Sequence, residues 1–276
     1  MSELDAVAPG VLVSTSRRDL TTSTVLASIS EALLIDPSWE PDELADLADQ
    51  LGSRSLQVTG GFSTHAHHDH VLWHPAFGPA PRYGSLPTAA QCAQHREDMV
   101  AALGPDFMGA PGSLGAALGD LVGRVEPAPH APADSSRIWL PAGAVPSGFE
   151  PEFIVHSAHA DGHTAVWLEE QGVLIAGDML SDVELPLPYT AANIGPYLDA
   201  LERLEPYAAK AQVIVPGHGH VGWGQAAMER LDADRRYLRH AMAGRTPNDP
   251  RLEGAEMRAV HEQLLASVAE SGIGPA

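Results

Sequence analysis

The sequence is short of cysteine, of basic residues and of uninterrupted apolar stretches, and each shortage excludes something. Its 276 residues include one cysteine, Cys92, so an internal disulfide is ruled out and a reducing compartment fits. Within "PTAAQCAQHRED" this thiol falls on a predicted helix and reads as a small half-buried residue, not a nucleophile. Only 16 arginines and lysines stand against 36 acidic residues, a formal net charge of −20. That balance argues against nucleic acid and anionic membranes as partners, because phosphate-binding surfaces carry basic patches. No apolar run reaches the roughly 18 to 20 residues that span a bilayer. The opening "MSELDAVAPGVLVSTSRRDL" has early acidic residues and no apolar core of signal-peptide length. The expectation is a cytoplasmic protein without a secretion signal.

What is present is a large apolar fraction, 44%, enough for one sizeable domain or a domain with an appendage. Strands are predicted in "VLVSTS" and "STVLASISEALLIDP", then a helix in "PDELADLADQLGS" with Pro41 near its start, then a strand "SLQVT". A short strand "PRYGS" and a helix over residues 87–103 follow. Residues 104–134 are rich in Gly, Pro and Ala, with one short helix between Ser113 and Gly123. A segment of this kind is either functional or a plain insertion, and a lid over the site is one reading. The second half again interleaves strands ("SRIWL", "EFIVHSA", "HTAVWLEE", "GVLIAGD", "AQVIVPGHGH") with a helix over "IGPYLDALERLEPYAA". Two helices, residues 225–243 and 252–270, finish the chain, so the class is α/β or α+β with layered packing.

The chemistry concentrates in "STHAHHDH", residues 63–70. If this stretch is extended, His65 and His67 share a face and can present two imidazoles to one metal ion. Asp69 and His70 are adjacent, so the chain must turn there to aim both at a second ion. Three later residues have the same character, a ligand-type side chain next to glycine at or near a strand end: His163 in "ADGHTAV", Asp178 in "LIAGDML" and His218 in "VIVPGHGH". Each alone reads as an ordinary turn residue. The H-x-H-x-D-H string, followed by the others in order, does not.

These motifs, with "LLIDP" near the start, resemble the metallo-beta-lactamase superfamily over residues 10–222, most nearly its dinuclear glyoxalase II and lactonase branch. The resemblance implies an αββα four-layer sandwich in residues 1–222, with residues 223–276 as a helical extension that packs on it or makes a homo-oligomer contact. It implies two divalent ions, zinc foremost, although iron and manganese also suit histidine and carboxylate. His65, His67 and His163 would hold one ion, Asp69, His70 and His218 the other, and Asp178 would bridge them. Around "GHT" the usual proline and glycine are replaced by Asp161 and Ala165, and His156 and His159 stand close by, His159 being the competing donor of the segment. Two such ions would lower the pKa of bound water toward about 7, generating hydroxide that Asp69, as catalytic residue, would help fix. His68 reads as a neighbour of the ligands and His220 as a residue orienting one. Trp73 and His74 would wall the substrate pocket, Tyr189 would reach substrate with its hydroxyl, and Phe107 would belong to a closing apolar lid.

The expected function is a metallo-hydrolase cleaving a small carboxylic ester, lactone or thioester. Beta-lactam hydrolysis is less favoured, because the antibiotic-hydrolysing classes carry cysteine or serine where Asp178 stands. An RNase Z-like phosphodiesterase is opposed by the acidity. An iron-dependent persulfide dioxygenase of the same superfamily and a non-catalytic scaffold are the remaining alternatives.

Overall fold

A computed structural model describes residues 3–271. Strands β1 (Asp5–Ala8), β2 (Val11–Thr15), β3 (Thr22–Ala27), β4 (Glu31–Ile35), β5 (Gln57–Phe62), β6 (Arg82–Gly84) and β7 (Glu126–Pro127) form a seven-stranded sheet in that order. Its first four strands pair antiparallel and its last four parallel. A small hairpin, β8 (His130–Ala131) and β9 (Asp134–Ile138), leads to the second sheet. That sheet orders β10 (Glu152–Val155), β11 (Thr164–Leu168), β12 (Val173–Gly177), β13 (Val213–Pro216) and β14 (Gly222–Trp223), with β12 and β13 parallel. Among the described residues there are six α-helices: α1 (Pro41–Ser53), α2 (Leu86–Leu103), α3 (Leu114–Leu121), α4 (Ile194–Ala208), α5 (Ala226–Met242) and α6 (Ala255–Ser271).

Strand alternation explains the layering. In β4, Leu33 and Ile35 face the second sheet while Ala32 and Leu34 face α1 and α2; in β12, Val173 and Ile175 face the first sheet while Leu174 and Ala176 face α4 and α5. Each central strand is therefore buried on both faces and reads as a continuous apolar run. Three cores result, one between the sheets and one under each helical layer, which is the αββα sandwich expected from the sequence. The helices have ordinary local causes. Pro41 opens α1 behind a Glu40–Glu43 capping box, and Ser85 caps α2 by accepting from the Thr88 amide.

Two sequence expectations fail at this level. The "STHAHHDH" stretch is not extended. The strand ends at Phe62, and residues 64–71 bend and turn, with the His70 amide donating to the His67 carbonyl at 3.1 Å. Residues 104–134 form no lid. Phe107, Leu118 and Val122 are buried against Cys92, Met99 and Leu103, and Arg96 donates to the carbonyls of Gly119 and Val122. The apolar residues that made the segment look like a closing flap are its anchor.

The C-terminal helices share the α4 core through Leu231, Tyr237, Leu238, Leu264 and Val268. Between them, buried Arg251 donates to Asp249, Asp234 and the carbonyls of Ser181 and Glu184, tying residues 249–251 to the loop after β12. No helix among the described residues is long and apolar enough to cross a membrane.

Candidate metal centre

Strands β4 and β5 of the first sheet and β12 and β13 of the second end at the same edge, and each delivers a polar side chain there. Asp36 follows β4, the histidine turn follows β5, Asp178 follows β12 and His218 follows β13. The sheets are stitched at this edge: the Thr22 amide donates to the Gly217 carbonyl at 2.8 Å, and the Thr164 amide to the Thr64 carbonyl at 2.9 Å. Glycine is required beside Asp178, since a Cβ on Gly217 would run into its carboxylate and Gly177 has φ +55°.

Two donor groups meet there, each with its ligand-type atoms within 4.8 Å of one another. The first comprises His65, His67, His159 and Asp178, the second Asp69, His70 and His218. One carboxylate touches both. Asp178 Oδ2 lies 3.2 Å from His65 Nε2 and 3.3 Å from His159 Nε2, while Oδ1 lies 3.1 Å from His70 Nε2. In the second group His218 Nε2 is 3.1 Å and His70 Nε2 3.3 Å from Asp69 Oδ2.

The far sides of the rings fix which nitrogen faces inward. His70 Nδ1 pairs with Asp36 Oδ2 at 2.9 Å, and the same oxygen accepts the Thr64 hydroxyl at 2.5 Å. Thr64 Oγ1 in turn stands 3.0 Å from His65 Nδ1. Asp36 thus orients one histidine of each group and leaves Nε2 of both free for the centre. His218 Nδ1 faces the Asp19 carbonyl at 3.0 Å.

The residues fit metal ions. His65 Nε2 and Asp178 Oδ1 are buried without a hydrogen-bond partner, a costly state that cation coordination relieves. Without a cation the electrostatics are lopsided. Burial pushes His65 well below its usual pKa and His67 down to about 4. Burial also disfavours charge on His70 and His218, yet Asp178 and Asp69 outweigh it, raising both and His218 to about 11. Those imidazoles reciprocally hold the two carboxyls well below the usual range. Protons here occupy the place of positive charge that the carboxylates demand.

The sequence model of the metallo-beta-lactamase superfamily matches residues 17–218. The chain belongs to that superfamily. No curated protein sequence matches it significantly. Among solved structures, a metallo-beta-lactamase from Pontibacter korlensis is 19% identical with a TM-score of 0.57, the match covering 86% of this chain and 99% of that one. The DIM-1 metallo-beta-lactamase, in a crystal exposed to ceftazidime, is 16% identical with a TM-score of 0.58, covering 85% and 96%. At these identities the likeness is one of fold. Superfamily membership and the paired His/Asp groups together support metal-dependent hydrolysis.

Six of the seven expected donors, His65, His67, Asp69, His70, Asp178 and His218, come together; His163 does not. The Asp178 amide donates to His163 Nε2 at 3.1 Å, and its Nδ1 faces His156 Nε2 at 3.3 Å, so both ring nitrogens are engaged away from the centre. His159 occupies the expected place, its Nε2 standing 3.1 Å from His67 Nδ1. The available signal was two histidines four positions apart in "AHADGH", either of which could have been the donor. Asp36 was also missed as a functional residue, although an acid ending the apolar strand of "LLIDP" marks it.

A cleft of about 790 Å3 opens over the donors, lined by Arg18, Trp39, Glu184, Leu187, Tyr189 and Met257 among others. Tyr189 is at its wall, half-exposed, with its ring 5.7 Å from that of His159. His68 also lines it, packs edge-on against Trp39 at 5.1 Å, belongs to neither donor group and has its Nδ1 3.8 Å from Asp69 Oδ1. Three expectations are corrected. Trp73 is core: its indole donates to the Gly78 carbonyl, its ring packs on Phe77, and a Cβ on Gly61 would strike it. His74 is buried as the cap of the turn at Pro75–Phe77, accepting from the Ala76 amide. His220 points outward and pairs with Asp182 at 2.9 Å, contacting no donor.

Proposed function

We propose that the protein is a cytoplasmic hydrolase that uses two divalent metal ions, zinc by preference, to cleave a small carboxylic ester, lactone or thioester. The observation that carries the reading is the shared Asp178 carboxylate, flanked by His65, His67 and His159 on one side and by Asp69, His70 and His218 on the other. These residues would hold the ions, with Asp178 common to both. When bound, two such ions supply a nucleophile at neutral pH and polarise the electrophilic oxygen.

The chain's own residues do the rest. Asp36 and Thr64 engage the outward Nδ1 of His70 and His65 and so turn Nε2 of both toward the centre. Asp69 would hold an ion together with His70 and His218 and orient the nucleophile there. Tyr189 stands where its hydroxyl can donate to a substrate oxygen, and Leu187 and Met257 offer apolar surface to an acyl group. Among the described residues, the two arginines lining the cleft are engaged already: Arg251 by Asp234 and Asp249, and Arg18 loosely by Asp19 and Glu40 while stacked 4.3 Å over Trp39. A polyanion such as RNA therefore has little to hold, which favours a compact substrate.

The test combines elemental analysis of purified protein with a panel of esters, lactones, thioesters and phosphodiesters. About two metal ions per chain and turnover of an acyl substrate are expected. Metal-replete protein that cleaves only the phosphodiester, or nothing in the panel, would overturn the substrate reading.

A further inference from the structure

Behind the shared carboxylate stand two buried imidazoles that belong to neither donor group, His163 and His156. We propose that they form a positioning pair: His163 holds the backbone of Asp178, His156 holds His163, and together they brace the loop that presents His159. The inference rests on the reading of Asp178 and His159 as metal donors.

The hydrogen-bond direction at Asp178 is set by the backbone. An amide can only donate, so the Asp178 N–H at 3.1 Å requires a lone pair on His163 Nε2. In a neutral ring the hydrogen is then on Nδ1, 3.3 Å from His156 Nε2, and that contact is a hydrogen bond when His156 carries its own hydrogen on Nδ1, the long 3.4 Å approach of the Ala158 amide to Nδ1 then being no hydrogen bond. With both nitrogens used, His163 has none left for a cation. The rings stack, 4.7 Å apart and inclined by 23°. The approach of His163 to that amide also depends on glycine, because a Cβ on Gly177 would meet Nε2 at 2.5 Å.

The backbone closes the same unit. The His156 amide donates to the His163 carbonyl at 2.8 Å, and the His163 amide to the Ala160 carbonyl at 3.1 Å, pinching residues 156–163 into a loop with His159 at its bend. Gly162 anchors this loop to the start of α2, its carbonyl accepting from Ser85 and Thr88 hydroxyls at 2.7 and 3.1 Å. Thus one imidazole pair fixes two of the four donors of the first group, Asp178 through its amide and His159 through its loop. Partners of this kind that orient metal ligands typically contribute about 10 to 100-fold in affinity.

The test is zinc binding, measured by competition with a chromophoric chelator on metal-stripped full-length protein, with elemental analysis at saturating zinc and the absorption spectrum of the cobalt-substituted form. His163→Ala should weaken zinc about 10 to 100-fold yet still load the wild-type number of ions at saturation, with cobalt bands near those of the wild type. His163→Gln, which keeps an acceptor, should recover part of the loss. His159→Ala should lose an ion at saturation or shift the cobalt bands, as expected of a ligand. Wild-type zinc affinity in His163→Ala overturns the proposal, and so does loss of an ion at saturation, which would make His163 the ligand. If His163→Ala does not fold, His163→Gln and His156→Leu carry the test, and wild-type affinity in both overturns it. A merely structural role would lower the melting temperature of the metal-free variants without moving zinc affinity or the cobalt spectrum. Wild-type protein that takes up no zinc at all would defeat the metal reading itself, a result distinct from wild-type loading with unaffected variants.

Discussion

The two donor groups share one carboxylate and are otherwise built on opposite terms. In the first, three imidazoles meet one aspartate, and burial keeps His65 and His67 neutral. In the second, Asp69 joins the shared Asp178, and the two carboxylates drive protons onto His70 and His218. His65 and His67 carry no charge to displace, whereas the second group exchanges a proton for a cation. A pair of sites that differ in this way need not load together, although they lie side by side.

The comparison breaks most completely at the residue common to both. Asp178→Ala should release both ions and reduce turnover by more than about 100-fold, beyond the range for residues that only orient ligands. Elemental analysis checks this directly, and retention of two ions would contradict a shared carboxylate. Next in size is Asp69→Ala, which removes a donor of the second group alone. It should cost more than about 100-fold in turnover, while His68→Ala, one position away but packed on Trp39, should cost no more than about tenfold. Equal losses at saturating metal would remove Asp69 from its assigned place.

The electrostatic contrast itself predicts a split in pH dependence. His70 and His218 titrate above the ordinary histidine value in the metal-free protein, so an ion entering the second group must release a proton, and its affinity falls as pH falls. The slope is about tenfold per pH unit for each proton released. His65 and His67 titrate below that value, with His67 at about 4, so neither adds a proton to release between pH 6 and 8 and the first group should be the less steep of the two there. Zinc titrations at pH 6, 7 and 8 should resolve one steeper and one shallower pH dependence. Equal slopes would show that the asymmetry does not survive in the loaded centre.

The strands were legible because doubly buried runs such as "EALLI" and "VLIAG" admit few other readings, and their ends announced the site. Donor types were legible as well, since H-x-H-x-D-H is hard to explain as a solvated turn. Which of His159 and His163 stands among the donors was not, because both are histidines in one glycine-containing loop, and only the fold shows His163 turned to the Asp178 amide. Trp73, His74 and Phe107 were misplaced for a related reason. Position after a motif in sequence does not carry over to space, because the chain turns into the outer core as soon as the histidine turn ends. The true cleft wall, Leu187 and Met257 among it, comes from segments with no motif to mark them.

That last contrast, between residues 104–134 and the loop after β12, carries the smallest expected effect. Met108 and Leu114 are the exposed apolar residues of the former segment, 46% and 49% accessible, and neither lines the cleft. Replacing both with serine changes surface without opening a cavity, so stability should move by no more than about 0.5 kcal/mol per site and KM by less than about twofold. Leu187→Ser alters the cleft wall itself and should raise KM for an acyl substrate by about three- to tenfold, the effect of losing an apolar contact of about 1 kcal/mol. Steady-state kinetics on the two variants decides the matter. A rise in KM for the Met108/Leu114 variant that equals or exceeds that of Leu187→Ser would mean that residues 104–134 reach the substrate after all, through a closure that places them over the metal centre.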